Sequence, residues 1–121
     1  MTNDYAIFIL SHGRPNTIDT LEALSKSNYT GEYFIVVDNE DSRLQEYRDI
    51  HGDKVLEFDK KAVADSIDDA DTSGDRRAVI YARHASQKMA KEMGYKYILQ
   101  LDDDYVSFYY QIGRAHVWTP V

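Results

Sequence analysis

The chain has 121 residues and a net charge of −7, which suits one domain with its own core and argues against a nucleic-acid groove built from these residues alone. The absence of cysteine excludes disulfides, thiolate metal sites and cysteine nucleophiles. With no signal peptide and no apolar run of membrane-spanning length, the sequence predicts a soluble, cytoplasmic protein that does not bind membranes.

The first predicted elements are a strand and a helix. The run YAIFIL (5–10) is short, apolar and rich in aromatic and branched residues, which predicts a buried parallel strand. Asn16 then predicts the cap of a helix that begins at Thr17. The apolar face of this helix consists of Ile18, Leu21 and Leu24.

The same pattern repeats in the next segment. The run EYFIVV (32–37) predicts a second buried strand. Ser42 and Gln45 have the spacing of a capping box, which predicts a second helix that continues through Ile50. Gly52 provides its stop.

The later elements are a weak strand, a polar stretch, a long helix and a final strand. VLEF (55–58) predicts the third strand, and 59–74 is either a loop or contains one short helix. A long helix is predicted from about Arg76 to Met93, followed by Gly94 and the strand KYILQL (96–101). Its apolar stripe consists of Val79, Ala82, Ala85 and Met89.

Strands that alternate with helices predict an α/β fold with a mostly parallel, Rossmann-like sheet. We expect four parallel strands in the order 3-2-1-4, with helices on both faces. Each strand ends in a polar segment: SHGRP, DNED, FDKK and LDDDY. Because the carboxyl ends of parallel strands meet at one edge of the sheet, these four segments predict a ligand site there.

The most distinctive polar segment contains three consecutive carboxylates, Asp102, Asp103 and Asp104. Neighbouring carboxylates raise the free energy needed to ionise one another, so a positive partner is expected. One interpretation is a solvated turn that caps a short helix. The other is a site for Mg²⁺ or Mn²⁺, which bind few protein carboxylates together with substrate phosphates. Alternate side chains point the same way, so Asp102 and Asp104 are the predicted metal ligands.

Other candidate residues follow the first two strands or begin the long helix. Asp38 is either an acceptor for the base or ribose of a nucleotide or a simple turn residue. Arg76 and Arg77 are either solvated or bind phosphate near a helix N-terminus. His12 and Arg14 are either phosphate contacts or ordinary loop residues.

The segment RRAVIYARHASQKMAKEMGYKYILQLDDDY (76–105) resembles the nucleotide-sugar-binding core of glycosyltransferases with the glycosyltransferase A fold. In that fold an ARN helix precedes an apolar strand and a DxD-type acidic motif. The resemblance includes the SHGRP and Asp38 strand ends and covers residues 4–110. More narrowly, GDRRAVIYAR and LQLDDDY resemble the TET-associated glycosyltransferases of phages.

The resemblance implies roles for individual residues. Asp38 would bind the base or ribose, Arg83 the base or diphosphate, and Asp104 the metal that bridges to the diphosphate. His84 stands where the family pattern often has asparagine, and a lone histidine there is more often structural than catalytic. The predicted nucleotide-sugar-binding residues are His12, Arg14, Asp38, Arg76, Arg77, Arg83, Asp102 and Asp103, and the predicted metal ligands are Asp102 and Asp104.

The implied activity is metal-dependent transfer of a sugar from a nucleotide diphosphate sugar, such as a UDP-sugar, with Mn²⁺ or Mg²⁺ as cofactor. The narrower resemblance implies an acceptor hydroxyl on a modified pyrimidine of phage DNA, and hence the cytoplasm of a host cell. One alternative is a nucleotidyltransferase, although SHGRPN supplies only one glycine for a phosphate loop. The other alternative is a non-catalytic nucleotide-binding module.

The last segment, IGRAHVWTPV (112–121), has no apolar period that links it to the preceding residues. It resembles the translation of a common sequencing adapter, with a TGA codon read as Trp118. We therefore expect residues 1–111 to be the N-terminal part of a glycosyltransferase domain and 112–121 to be a non-native tail. On this interpretation the catalytic base and the acceptor site lie in a part of the natural protein that this chain does not contain.

Overall fold

The computed structural model of the chain describes residues 4–66, 75–105 and 119–121. Strands and helices alternate as the sequence predicts. In chain order the elements are β1 (Tyr5–Leu10), α1 (Asp19–Lys26), β2 (Glu32–Asp38), α2 (Leu44–His51), a 3-10 turn (Gly52–Lys54), β3 (Val55–Phe58), α3 (Lys60–Ser66), α4 (Asp75–Met93), β4 (Tyr97–Asp102) and β5 (Thr119–Pro120). None of the helices described combines the length and the apolar character that a membrane crossing requires.

The strands form one sheet in the order β3-β2-β1-β4-β5. The first four are parallel, which confirms the predicted order and the Rossmann-like α/β class. Their register aligns the strand ends: Leu10 lies opposite Asp102, and Asp38 lies opposite Phe58. β5 was not predicted; it pairs antiparallel with the start of β4 and comes from the segment expected to be a non-native tail.

Two layers of helices cover the sheet, one on each face. On one face, α3 and α4 pack against the even-numbered residues of β1, and on the other, α1 and α2 pack against the odd-numbered residues. This alternation follows from the period of two in a strand. The first face includes Ala6, Phe8, Leu10, Val36, Ala82 and Ile98, and the second includes Ile7, Ile9, Ile35, Val37, Tyr47 and Leu101.

The predicted starts of the first two helices are wrong. α1 begins at Asp19 rather than Thr17, and no side chain caps it, because the backbone N–H of Thr17 instead closes a turn onto the Arg14 carbonyl at 3.3 Å. α2 begins at Leu44, and no side-chain cap forms there. The preceding turn is organised by Asp41, whose Oδ1 accepts the N–H of Arg43 at 2.8 Å. In both cases a local turn competes with the helix for the same N–H groups.

The predicted helix ends are confirmed. Gly52 follows α2 with φ of 62°, and Gly94 follows α4 with φ of 87°, both in the left-handed region that favours glycine. The polar stretch 59–74 contains the short helix α3, one of its two predicted forms, and its residues 67–74 lie outside the described part of the chain. The apolar stripe of α4 is buried at Ala82 and Ala85.

Candidate functional site

A pocket of about 280 Å³ lies at the carboxyl ends of the parallel strands. It is lined by residues from all four segments in which the parallel strands end. The prediction that these segments share one edge of the sheet is confirmed. The lining residues are Leu10, Ser11, His12, Arg14, Asp38, Phe58, Ala82, Asp102, Asp103 and Asp104.

Strand alternation divides the acidic triplet between the two faces of the sheet. Asp102 continues the even-numbered face of β4 that packs against α4, and its carboxylate lies 3.9 Å from Arg83 on that helix. Asp103 points to the face of α1 and α2, where it contacts Ser11 and Arg14. Asp104 follows in the turn after β4 and is exposed. Asp102 and Asp103 therefore have different electrostatic surroundings although they are adjacent in sequence.

The Asp102 carboxylate is open to solvent and has only a long contact to a cation. Its side chain is 49% exposed and that of Arg83 is 45% exposed. Gln100 holds the Arg83 backbone, because its Nε2 donates to the Arg83 carbonyl at 2.8 Å. An ion pair between two half-exposed groups contributes little to stability. Asp102 is therefore accessible to a ligand from the pocket.

Asp103, in contrast, ends a chain of hydrogen bonds. The Ser11 hydroxyl donates to Asp103 Oδ2 at 2.7 Å, so the Tyr47 hydroxyl, 2.6 Å from Ser11 Oγ, donates to Ser11. The backbone N–H of Arg14 donates in turn to the Tyr47 oxygen at 2.8 Å. The chain connects β1, α2 and the turn after β4, and it fixes the loop that follows β1.

Burial keeps the Tyr47 hydroxyl protonated. Loss of solvation raises the pKa of Tyr47, and Asp41 and Asp103 raise it further, whereas its hydrogen bonds with Ser11 and Arg14 lower it. A protonated hydroxyl both donates and accepts, which the position between Ser11 and Arg14 requires. Tyr47 is fully buried, so the pocket loop rests on a rigid support.

Thr20, on α1, makes hydrogen bonds to the backbone around the acidic triplet, Asp102 to Asp104. Its Oγ1 donates to the Asp102 carbonyl at 2.5 Å and accepts the N–H of Tyr105 at 3.1 Å. Its backbone N–H lies 3.4 Å from the Asp103 carbonyl. A buried threonine thus positions the backbone of the turn after β4, and so the carboxylates that the turn carries.

On the opposite side of the pocket, His12 stands above two buried carboxylates. His12 Nδ1 lies 3.2 Å from Asp38 Oδ2 and 3.3 Å from Asp41 Oδ2. The carboxylates are 6% and 1% exposed, whereas the histidine side chain is 66% exposed. The ligand atoms of the three residues lie within 4.8 Å of one another, a spacing at which a metal ion could be held.

The backbone around these carboxylates supplies further donors. The N–H of Glu40 donates to Asp38 Oδ1, and the N–H of Gly13 donates to Asp41 Oδ2, both at 2.8 Å. Gly13 has φ of 66°, a conformation that favours glycine and that belongs to the tight turn after β1. The two loops that follow β1 and β2 are therefore tied together by carboxylates.

The sequence model of the TET-associated glycosyltransferase family matches residues 5–119. The chain belongs to this family. The match includes the four parallel strands whose ends form the pocket, and it confirms the resemblance found from the residues. No curated protein matches the chain significantly. The family match reaches into the segment 112–121, whose adapter origin stays a prediction.

The glycosyltransferase pocket collects most of the residues predicted from the sequence. His12, Arg14, Asp38, Asp102, Asp103 and Asp104 all line it. Arg83 is not a lining residue but contacts Asp102 from α4. His84 is exposed on α4, and the side chains of Arg76 and Arg77 lie outside the described part of the chain. The roles of all these residues stay predictions.

Sequence reasoning missed Ser11, Thr20, Asp41 and Tyr47. Asp41 lies in the quoted DNED segment, and its spacing from Asp38 was the available signal. Ser11 likewise lies in SHGRP. Tyr47 gave no signal, because an apolar-face tyrosine on a helix is usually a core residue and its hydroxyl partners are 36 and 33 residues away.

Asp102 and Asp104 fit a divalent cation by their donor chemistry. Both are carboxylates that line the pocket, and oxygen ligands of this kind suit Mg²⁺ and Mn²⁺. The half-exposed Asp102 side chain and the exposed Asp104 both leave room for the water and phosphate ligands that Mg²⁺ retains.

Proposed function

We propose that this glycosyltransferase transfers a sugar from a nucleotide diphosphate sugar, a UDP-sugar, to an acceptor hydroxyl, and that the donor binds in the pocket at the strand ends. The observation that carries the proposal is the side of the pocket lined by the solvent-accessible carboxylates Asp102 and Asp104, where Asp102 lies 3.9 Å from the cationic side chain of Arg83. Arg14 adds a second cation at the pocket. This arrangement offers opposite charges to a cation and to a diphosphate at one place.

Asp102 and Asp104 would hold Mg²⁺ or Mn²⁺ beside the diphosphate. The bound cation would neutralise negative charge that develops on the leaving diphosphate. Arg14 and Arg83 would contact the diphosphate oxygens, because guanidinium groups bind phosphates in a bidentate manner. His12 would contact the nucleotide from the opposite side of the pocket, above Asp38.

In the transfer, the acceptor oxygen forms a bond to the anomeric carbon while the bond from that carbon to the diphosphate oxygen breaks. The acceptor hydroxyl passes its proton to a general base. The pocket residues bind and orient the donor, so that the anomeric carbon is presented to the acceptor. Orientation of this kind supplies a large part of the rate enhancement in transfer reactions.

The acceptor that we propose is a hydroxymethylated or related modified pyrimidine in phage DNA, and the setting is the cytoplasm of a host cell. The resemblance to phage TET-associated glycosyltransferases supports this acceptor. The net charge of −7 opposes general attraction to DNA phosphates, so a local basic surface would have to make the DNA contacts.

Titration calorimetry of UDP with and without Mn²⁺ tests the donor site. We expect Mn²⁺ to raise UDP affinity, and Asp104→Asn to abolish that rise, because a neutral amide is a poor ligand for a hard cation. Arg83→Ala should lower UDP affinity about tenfold with or without Mn²⁺, because the contact that it removes is to the nucleotide. Asp53→Asn is the matched control, since Asp53 is an exposed acid at the other end of the sheet.

The same titrations distinguish the alternatives. Tighter binding of nucleoside triphosphates than of UDP or UDP-sugars would favour a nucleotidyltransferase. UDP binding that does not respond to Mn²⁺, in both wild type and Asp104→Asn, would show that the acidic triplet is a capping turn. That result would remove the main support for metal-dependent sugar transfer in this pocket.

A further inference from the structure

The contacts among His12, Asp38 and Asp41 show which ring nitrogen of His12 carries a hydrogen. A carboxylate only accepts hydrogen bonds, so an atom placed between Asp38 Oδ2 and Asp41 Oδ2 must be a donor. That atom is His12 Nδ1, at 3.2 and 3.3 Å. The geometry therefore assigns a ring hydrogen to Nδ1, and the second nitrogen, Nε2, is turned away from both carboxylates.

Every carboxylate oxygen in the cluster already has an N–H donor. Asp38 Oδ1 accepts from Glu40, and Asp41 Oδ1 accepts from Arg43, each at 2.8 Å. The two remaining oxygens face His12, and Asp41 Oδ2 also accepts from Gly13. Two nearly buried carboxylates are stable only when such donors compensate their loss of water. The histidine N–H is thus part of what holds the two acids together.

The same contacts show how far the Asp38 carboxylate is available to a ligand. Its side chain is only 6% exposed, and both of its oxygens are engaged within the protein. A nucleotide base or ribose that bound this carboxylate would have to displace His12 or the loop N–H. His12, in contrast, lines the pocket with two thirds of its side chain exposed.

We propose that Asp38 and Asp41 are positioning residues that hold His12 through its Nδ1–H, and that His12 rather than Asp38 presents the polar atom to a nucleotide diphosphate on this side of the pocket. The second half of this statement rests on the proposed function. The first half concerns the ligand-free chain and does not depend on it. A metal site at the same three residues would differ, because Nδ1 would have to give up its hydrogen to bind the ion.

Nitrogen NMR of the ligand-free chain tests the positioning. With ¹⁵N-labelled histidine, long-range nitrogen–proton spectra at neutral pH should show a hydrogen on His12 Nδ1, and the signals of this ring should disappear in His12→Asn, which assigns them among the four histidines of the chain. Adding Zn²⁺ or Mg²⁺, which are both diamagnetic, should leave the Nδ1–H in place. A neutral ring protonated at Nε2 alone, or a metal that replaces the Nδ1 hydrogen, would overturn the proposal.

Double-mutant cycles with UDP test which residue contacts the nucleotide. His12→Asn keeps an amide donor near the carboxylates but removes Nε2, and we expect it to lower UDP affinity about tenfold. Asp38→Asn and Asp41→Asn should each lower affinity in the wild-type background but cause no further loss in the His12→Asn background. Rescue by the second change is not expected. Asp53→Asn, remote from the pocket, should leave affinity unchanged in both backgrounds.

Losses of UDP affinity that add up, instead of depending on His12, would contradict the proposal. If Asp38→Asn lowers UDP affinity by the same factor whether or not His12 is present, Asp38 contacts the nucleotide directly and the proposal is wrong. Melting temperatures show whether each variant is folded, and the Asp38 cycle remains decisive if Asp41→Asn does not fold. A wild-type chain that fails to bind UDP would refute the proposed function and the nucleotide contact together, whereas the NMR result would still decide the positioning of His12.

Discussion

Aspartates line both sides of the pocket, but they are buried and fully hydrogen-bonded on one side and exposed to solvent on the other. On the first side, which we call the closed side, Asp38 and Asp41 are 6% and 1% exposed and all their oxygens accept N–H groups of the protein. On the open side, Asp102 is 49% exposed and has a cation only at 3.9 Å. Asp104 is exposed in the turn beyond it.

This difference shows that the number of acids at a site does not identify the ligand-binding ones. Carboxylates that are buried and fully engaged position other groups, because displacing their partners costs free energy without solvent to compensate it. Carboxylates that are exposed and weakly paired remain available to a cation. The closed side is therefore expected to determine stability, and the open side to determine metal-dependent binding.

The largest expected effect is on stability and compares one acid from each side. Asp41→Ala should lower the free energy of unfolding by about 3 kcal/mol, because it leaves the N–H groups of Gly13 and Arg43 without their acceptor and removes one of the two carboxylates beside His12. Asp104→Ala should change it by less than about 0.5 kcal/mol. Urea unfolding of both variants measures the two values, and similar losses would remove the distinction between the sides.

A second test of the difference between the two sides uses the buried Tyr47, whose hydroxyl supports the loop that follows β1. Tyr47→Phe keeps the buried ring but removes the contacts with Ser11 and with the Arg14 N–H. We expect a loss of about 1–2 kcal/mol in unfolding free energy. The rise in UDP affinity with Mn²⁺ should persist, because the open carboxylates are untouched. Loss of that rise in a folded variant would mean that the open side depends on the Tyr47 network.

A smaller effect is expected on the stability of the chain at alkaline pH, which should fall as pH rises. Burial raises the pKa of Tyr47 above its ordinary value of 10.0, and burial, followed by Tyr5, Glu32 and Tyr95, raises that of Tyr29. Above about pH 10 the unfolded chain loses these protons while the folded chain keeps them, so stability falls as pH rises. Replacing both with phenylalanine should flatten this fall relative to the wild-type chain. Identical slopes in melting temperature against pH would contradict the burial of these hydroxyls.

The smallest expected effect concerns β5, which pairs with β4, the strand that leads to the open side. Deleting residues 112–121 should lower the melting temperature by only a few degrees and leave UDP affinity unchanged, because the two-residue strand β5 adds only a short pairing at the edge of the sheet, away from the pocket. Differential scanning calorimetry and the UDP titration measure both. A large loss of stability would show that the segment is an integral part of the domain.

The sequence predicted the features that depend on short-range patterns. Apolar runs gave the strands, the order of parallel strands followed from the crossovers, and the period of two placed Asp102 and Asp103 on opposite faces. The glycine stops after α2 and α4 were also predictable, because a left-handed residue leaves a recognisable local signal.

The remaining features depend on contacts between distant parts of the chain. The closed state of Asp38 requires His12, which is 26 residues away, and the partner of Ser11 on the acidic triplet is 92 residues away. No local pattern reports such pairs. Helix starts were wrong for a related reason: at Asn16 and Ser42 the predicted caps competed with turns whose acceptors were Arg14 and Asp41.

The location of a bound cation tests the distinction between the two sides most directly. We would crystallise the chain with UDP and Mn²⁺ and record anomalous scattering at the manganese absorption edge. We expect a manganese peak beside Asp102 and Asp104, in contact with the diphosphate, and His12 still directed at its two acids. A peak between Asp38 and Asp41 with His12 Nδ1 as a ligand, and none beside the acidic triplet, would contradict it.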